Sequence, residues 1–258
     1  MLLAVDVGNT NTVIGVFNGN EIIVDWRIAT GTRWTADDFF VVYKNLFEFD
    51  NRIRLEEISS AVISSVVPAT ISPLTEMCLK YFNLSPLIVD NTVETGLKNL
   101  YDNPAEVGAD RLVNAAAAFR KYGGPVIVVD FGTATTFCYI SKSAEYCGGI
   151  IVPGIKISID ALFERAAKLP KVELIKPPKV IGKNTINSIQ SGIIYGYASL
   201  VDGIIEKMEN EISENPFVVA TGGLADLIAP QSKKIKETNQ MLTLEGLKII
   251  YELNKKKS

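Results

Sequence analysis

The feature that most constrains this chain is a pattern that occurs twice. Leu2-Leu3-Ala4-Val5-Asp6-Val7-Gly8-Asn9-Thr10-Asn11-Thr12 is an apolar run ending in an acid, a glycine and small polar residues, and Val13-Ile14-Gly15-Val16-Phe17 returns from it. Val126-Ile127-Val128-Val129-Asp130-Phe131-Gly132-Thr133-Ala134-Thr135-Thr136-Phe137-Cys138-Tyr139-Ile140 repeats the plan near half the chain length later. Short apolar runs bounded by turn residues read as buried strands, so each copy predicts a β-hairpin. Asn18-Gly19 closes the first copy and predicts a type I′ turn, with positive φ at both central residues. Small residues at each tip let a phosphate approach backbone N–H groups, and a carboxylate there can hold a hydrated divalent cation. A lone Asp-x-Gly-x-Thr is most simply a strand-ending turn. Two copies, each between a strand and a returning strand, favour duplicated domains facing one nucleotide.

Composition excludes much else. The 258 residues, 47% of them hydrophobic, suit one large or two small domains with ample core. Histidine is absent, which removes Ser-His-Asp and Cys-His machinery and His-ligated metals; a general base must be a carboxylate, Lys or Tyr. Cys78, Cys138 and Cys147 form no Cys-x-x-Cys pair and read as reduced packing residues of a cytoplasmic protein. The five residues before Asp6 carry no basic flank or long apolar stretch, so no export signal is expected. Gly, Pro or charge interrupts every apolar run, so no membrane span is expected either. Net charge is −3, and Lys233-Lys234 and Lys255-Lys256-Lys257 read as solvated surface and tail, so nucleic acid is not an expected partner.

Between and after the hairpins the chain alternates helix and strand. Glu21 to Ile28 predicts a third strand, and Thr35 to Asp38 a capping box ahead of a helix with the stripe Phe39, Phe40, Val42, Tyr43, Leu46 and Phe47. A strand at Ser60–Val67, a helix at Ser72–Phe82 and a short strand at Leu87–Val89 follow. The alanine-rich helix ended by Gly123-Gly124 has two possible starts. Asn103-Pro104 fits an N-cap and N1, whereas a start near Gly108 places Asp110 in the first turn, where the macrodipole favours its ionised form. The second half predicts a strand at Tyr146–Val152 and a helix at Ile157–Ala167. An exposed Pro- and Lys-rich connection covers Leu169–Lys183. A long helix begins near Asn184, its apolar side formed by Ile189, Ile193, Tyr197, Leu200, Val201, Ile204 and Met208. Gly192, Gly196 and Gly203 within it suggest close packing on another helix, either in this chain or across a subunit interface. Phe217–Ala220 reads as a strand ending in Thr221-Gly222-Gly223, either a plain tight turn or a place for a flat ligand. A helix at Leu244–Leu253 closes the chain. Gly182-Lys183-Asn184-Thr185 lacks the upstream glycine and leading strand of a P-loop.

These residues resemble a known group. The duplicated hairpins are similar to those of acetate and sugar kinases, actin and heat-shock chaperone ATPases. Asp6-Val7-Gly8-Asn9-Thr10, Asn103-Pro104-x-Glu106-x-Gly108-Ala109-Asp110-Arg111, Asp130-Phe131-Gly132-Thr133-Ala134-Thr135, Gly148-Gly149-x-Ile151-x-Pro153-Gly154 and Thr221-Gly222-Gly223 together resemble the type III pantothenate kinase family over nearly the whole chain. The Gly-Ala-Asp-Arg element is the specific part. The resemblance implies an α/β fold of duplicated actin-like ATPase (ribonuclease H-like) lobes, 1–115 and 116–258, with nucleotide in the cleft. It implies ATP-dependent phosphorylation of the primary hydroxyl of pantothenate, the first step toward coenzyme A, by a homodimer.

Carried over by position, Asp6, Val7, Gly8, Asn9, Thr10, Asn11, Thr12 and Val13 would cradle the ATP phosphates, with Asp6 reaching Mg²⁺ through water, and Thr133 would add a hydroxyl. Asp110 would accept the proton. Asp130 would help hold a potassium or ammonium ion. Tyr101, Gly108, Ala109, Asp110, Arg111 and Thr185 would hold pantothenate. From the residues alone, Asp110 reads first as a helix-start carboxylate paired with Arg111 or capping backbone N–H groups and only second as a base, and Arg111 as a substrate ligand or a partner of Asp110. Another kinase or phosphatase of the superfamily, or a nucleotide-binding regulator without turnover, are the competing readings.

Overall fold

The first strand explains its own position. In a computed structural model, which describes every residue except Asn51, Ala167, Lys168 and 256–258, β1 (Leu2–Val7) is buried on both faces, and only Asp6 is half-exposed. A strand that apolar belongs at the centre of a sheet. It lies between β2 (Asn11–Asn18), antiparallel, and β4 (Ser60–Ser65), parallel. The edges are β3 (Glu21–Ala29) and β5 (Leu87–Ile88), giving the order β3-β2-β1-β4-β5. Leu3, Val5 and Val7 point to one face, into a core with Ile14, Val16 and Ile63 and with Phe39, Tyr43 and Phe47 of α1 (Ala36–Phe49). The expected capping box is present, with Thr35 as N-cap and Asp38 accepting back from its backbone N–H at 2.9 Å. Helix α2 (Ile71–Phe82) adds Leu74, Met77 and Cys78 to the same core, and ends at Asn83 in the left-handed region, φ +53°.

The turn at Asn18-Gly19 is not of the predicted type. Asn18 pairs with Glu21, so the two loop residues are Gly19 and Asn20, and of these only Gly19 has positive φ, +58°. Positive φ at the first loop residue alone is the type II′ arrangement. The register moved the loop by one residue.

The chain falls into two units, 1–117 with 242–258, and 118–241. A two-residue strand, β6 (Lys98–Asn99), and helix α3 (Ala109–Tyr122) follow the first sheet. The helix starts at the second of its two candidate positions, while Pro104–Glu106 makes a separate 3₁₀ turn. Chain order places the closing helix α7 (Leu242–Lys255) with the second lobe. In this structure it packs on the first: a Cβ on Gly15 would stand 2.7 Å from Leu244 Cδ1, and one on Gly246 would collide with the Val113 backbone. Thr243 Oγ1 donates to Asn114 Oδ1 at 2.8 Å, fixing α7 on α3.

The second unit repeats the plan. Strands β7 (Val126–Phe131), β8 (Ala134–Ile140) and β9 (Glu145–Pro153) form an antiparallel meander, and β10 (Phe217–Thr221) and β11 (Glu237–Thr238) extend it in parallel beyond β7. Ile127, Val129 and Phe131 share a core with α4 (Ile155–Arg165), α5 (Thr185–Ile212) and α6 (Ala225–Ile228). The face α5 buries is Ile193, Ile194, Ala198, Val201, Ile205 and Met208, rotated from the expected one; Leu200 is exposed and Ile189, Tyr197 and Ile204 are half-buried. The helix carries apolar residues on more than one stripe, and sheet packing selects among them. Gly192, Gly196 and Gly203 have nothing within 4 Å of a built Cβ, so among the described residues no helix packs on them. Ala167, the expected end of α4, and Lys256 and Lys257 of the basic tail lie outside the described residues.

Candidate active site

The tip of the first hairpin is a braced turn. The Gly8 N–H donates to the Asn11 carbonyl at 3.0 Å, and a Cβ on Gly8 would stand 3.0 Å from that same oxygen. Thr30, just past the end of β3, ties the tip down. Its Oγ1 donates to the Gly8 carbonyl at 2.7 Å and lies 3.1 Å from the buried Thr12 Oγ1, while its N–H donates to the Thr10 carbonyl at 3.0 Å. Asn9 and Thr10 are exposed at the summit, and Val7 and Thr12, the last pair below it, are buried. Thr30 escaped sequence reading because its partners lie about twenty residues upstream, and a Thr-Gly-Thr stretch reads only as loop.

Asp110 sits in the first turn of α3 in the same unit. Its Oδ1 accepts from the Arg111 backbone N–H at 2.7 Å. Burial pushes its carboxyl above the ordinary aspartate range, against the opposing pull of that hydrogen bond and of the Arg111 charge. Gly108 makes this carboxylate position possible, since a Cβ there would stand 2.6 Å from Asp110 Oδ1. The same Cβ would be 3.8 Å from Val66, whose N–H donates to the Val7 carbonyl at 3.0 Å. Thus the segment after β4 links the end of β1 to the start of α3. Arg111 is buried, with its guanidinium carbon 5.7 Å from the centre of the Tyr101 ring. The structure therefore brings Asp6–Val13, Tyr101 and Gly108–Arg111 into one unit.

The second unit carries Asp130, Thr133 and Thr185. Its hairpin tip, Gly132 to Ala134 between the Phe131–Thr135 pair, is one residue shorter than Gly8 to Asn11 in the first. Thr133 is exposed on it. Gly154, at the N-cap of α4, packs so closely that a Cβ would collide with the Thr133 carbonyl. Gly222, φ +91°, lies against Asp130 in the same way. Thr185, the first residue of α5, is exposed at the rim of a cavity of about 770 Å³ shared with Ser158, Lys183, Ser188 and Tyr197. Tyr197 OH lies 2.6 Å from Ser158 Oγ and donates to the Pro153 carbonyl at 3.1 Å.

Among the described residues no three of His, Cys, Asp and Glu cluster as a metal cage. Mg²⁺ keeps several waters and is carried by substrate phosphates with one or two carboxylates, so it needs no such cage. No helix among the described residues is long and apolar enough to cross a membrane.

Two helix-flanked mixed sheets, each with an Asp-x-Gly hairpin at its centre, define the actin-like ATPase and sugar-kinase fold class. A solved member, the activator of 2-hydroxyisocaproyl-CoA dehydratase from Clostridium difficile with bound ADPNP, matches with TM-score 0.58 over 99% of this chain and 96% of its own, at 12% identity. The type III pantothenate kinase family profile matches residues 2–207. Type III pantothenate kinases of Geotalea daltonii and Citrifermentans bemidjiense are each 50% identical over 255 residues, covering 99% of this chain and 99% and 100% of theirs. The chain belongs to the type III pantothenate kinase family.

Proposed function

We propose that this protein transfers the γ-phosphoryl group of ATP to the primary hydroxyl of pantothenate with Asp110 as proton acceptor. The family supplies the reaction, phosphorylation of pantothenate on the way to coenzyme A. The observation that carries the assignment of Asp110 is its half-buried carboxylate, set at the start of α3 in the unit that also carries the braced hairpin tip.

Phosphoryl transfer passes through a loose transition state, so positioning and charge neutralisation matter more than a strong base. Bound Mg²⁺ neutralises phosphate charge. Backbone N–H groups and hydroxyls of residues 6–13 hold phosphate, and Asp6 would hold Mg²⁺ through water; Thr133 is a further phosphate-binding hydroxyl in its own unit. Asp110 orients the pantothenate alcohol and takes its proton late. Arg111, stacked on Tyr101, offers a buried guanidinium to the pantothenate carboxylate. Gly108 and Ala109 give the substrate backbone contact, and Thr185 a further hydroxyl. Asp130 would help hold a potassium or ammonium ion. The open Gly192, Gly196 and Gly203 face of α5 supports a homodimer through that helix. Three free cysteines support a cytoplasmic setting.

A coupled assay with pantothenate tests the reaction, and Asp110→Asn tests the base. The variant should bind Mg·ATP and pantothenate yet lose about 10²–10⁴-fold in kcat. Near-normal turnover would remove Asp110 from the mechanism. Substituting sodium for potassium should lower the rate; an equal rate would remove the ion from Asp130.

A further inference from the structure

Two adjacent serines end β4, and they are used differently. Ser65 is fully engaged: its Oγ donates to the Val67 carbonyl at 3.0 Å, receives the Val67 N–H at 3.0 Å and lies 3.0 Å from Thr70 Oγ1. Ser64 is completely buried, and its Oγ has no hydrogen-bond partner among the described residues. A buried hydroxyl without a partner is costly, and alanine, which occupies Ala4 and Ala61 nearby, would fit such a strand without that cost.

Register shows what the hydroxyl faces. In the parallel β1–β4 ladder Ser64 is the Cα partner of Asp6, and paired residues on neighbouring strands, roughly 4.8 Å apart, project to the same side. That side is the α7 side. Ala4, two residues before Asp6, pairs with Gly15, and it is the Gly15 Cβ that would meet Leu244. Leu3, Val5 and Val7 turn the other way, into the α1 and α2 core. Ser64 is therefore the side chain beside Asp6 on its own face, sealed from solvent, at the strand end where the hairpin tip emerges. Thr135, a comparable hydroxyl without a partner among the described residues, is placed otherwise: it pairs with Phe131 and so shares no face with Asp130. Tyr43 OH, a third, lies within the α1 and α2 core.

We propose that Ser64 is a positioning residue whose hydroxyl, unpartnered among the described residues, is the donor that the Asp6 carboxylate takes up when nucleotide-bound Mg²⁺ arrives. The inference rests on the reading of Asp6 as a Mg²⁺-side acid. An O–H donor beside one carboxylate oxygen fixes which oxygen is turned outward to a metal-bound water. Such a donor also stabilises the carboxylate charge in the loaded site. Ser64 touches neither phosphate nor pantothenate in this role. It acts through Asp6.

Calorimetric titration of ADP with and without Mg²⁺ tests this without turnover, on the full chain and on Ser64→Ala, Asp6→Asn and the double variant. Ser64→Ala should leave metal-free ADP affinity unchanged and cut the Mg²⁺-dependent gain by about tenfold, and the double variant should be no worse than Asp6→Asn alone. Ser64→Thr, which keeps the hydroxyl, should restore the gain. The apo unfolding temperature of Ser64→Ala should equal or exceed that of the parent. An intact Mg²⁺ gain in Ser64→Ala, or multiplying losses in the double variant, would overturn the proposal while leaving Asp6 in its role. An intact gain in Asp6→Asn would instead remove the reading of Asp6 itself, and this proposal with it. Should Ser64→Ala not fold, the near-isosteric Ser64→Cys takes its place in the same cycle.

Discussion

Gly222 leaves no room for a side chain beside Asp130: with φ at +91°, a Cβ on Gly222 would collide with Asp130 Oδ1 and stand 2.7 Å from the Phe131 backbone nitrogen. The turn after β10 is thus shaped around the acid at the end of β7. Gly222→Ala should move the carboxylate and strain the turn, at a stability cost of about 1–3 kcal/mol. With Asp130 as the proposed monovalent-cation ligand, any activation by potassium should be weaker in the variant than in the parent enzyme. A potassium response curve identical to the parent's would separate Gly222 from the function of Asp130.

The raised carboxyl of Asp110 makes a signed prediction about pH. Its folded value lies above its unfolded one, so the proton-bound form favours folding. That contribution is complete below the unfolded value and is lost as pH rises through the folded value. Asp110→Asn, which cannot ionise, should therefore melt above the parent near pH 8, with the gap closing toward pH 4. The acidic limb of kcat/KM should also lie above that of an ordinary aspartate. Melting curves that keep a constant gap over this range would contradict the burial argument.

Thr30 binds three groups of the first tip from one residue. Thr30→Val keeps the shape but removes the bond to the Gly8 carbonyl and the contact with Thr12 Oγ1. It should cost about 1–3 kcal/mol of stability and raise KM for ATP more than KM for pantothenate. Steady-state kinetics with each substrate varied in turn checks this, and equal effects on both would place Thr30 outside phosphate binding.

Glycines in α5 and α7 should respond in opposite ways. Gly246→Ala drives a methyl into the Val113 backbone, so it should unfold the protein at a temperature lower by several degrees. Gly196→Leu meets open space within the chain and adds helix propensity. The isolated chain should tolerate it, but a dimer joined through that face should not. If the proposed homodimer forms through this face, sedimentation should show the variant shifted to monomer at unchanged helicity; a variant that sediments as the parent does would remove this face as the interface.

Elements whose signals are local were legible in the chain before any folding. Both Asp-x-Gly hairpins, the Thr35 capping box, the strand into Thr221-Gly222 and the Gly108–Arg111 helix start are written in runs a few residues long, where alternation, caps and small residues act on immediate neighbours. Resemblance supplied the reaction and the roles of the residues. Four further matters needed the tertiary structure. Asn18-Gly19 was misread because β2–β3 register, not dipeptide preference, chose which two residues form the loop. The buried face of α5 could not be read from a helix apolar on several sides until the second sheet selected one. The place of α7 on the first sheet, and the pairing of Ser64 with Asp6, join residues distant in the chain. Such contacts are decided by which surfaces bury each other, and a one-dimensional pattern records only that a surface is apolar, not what will cover it.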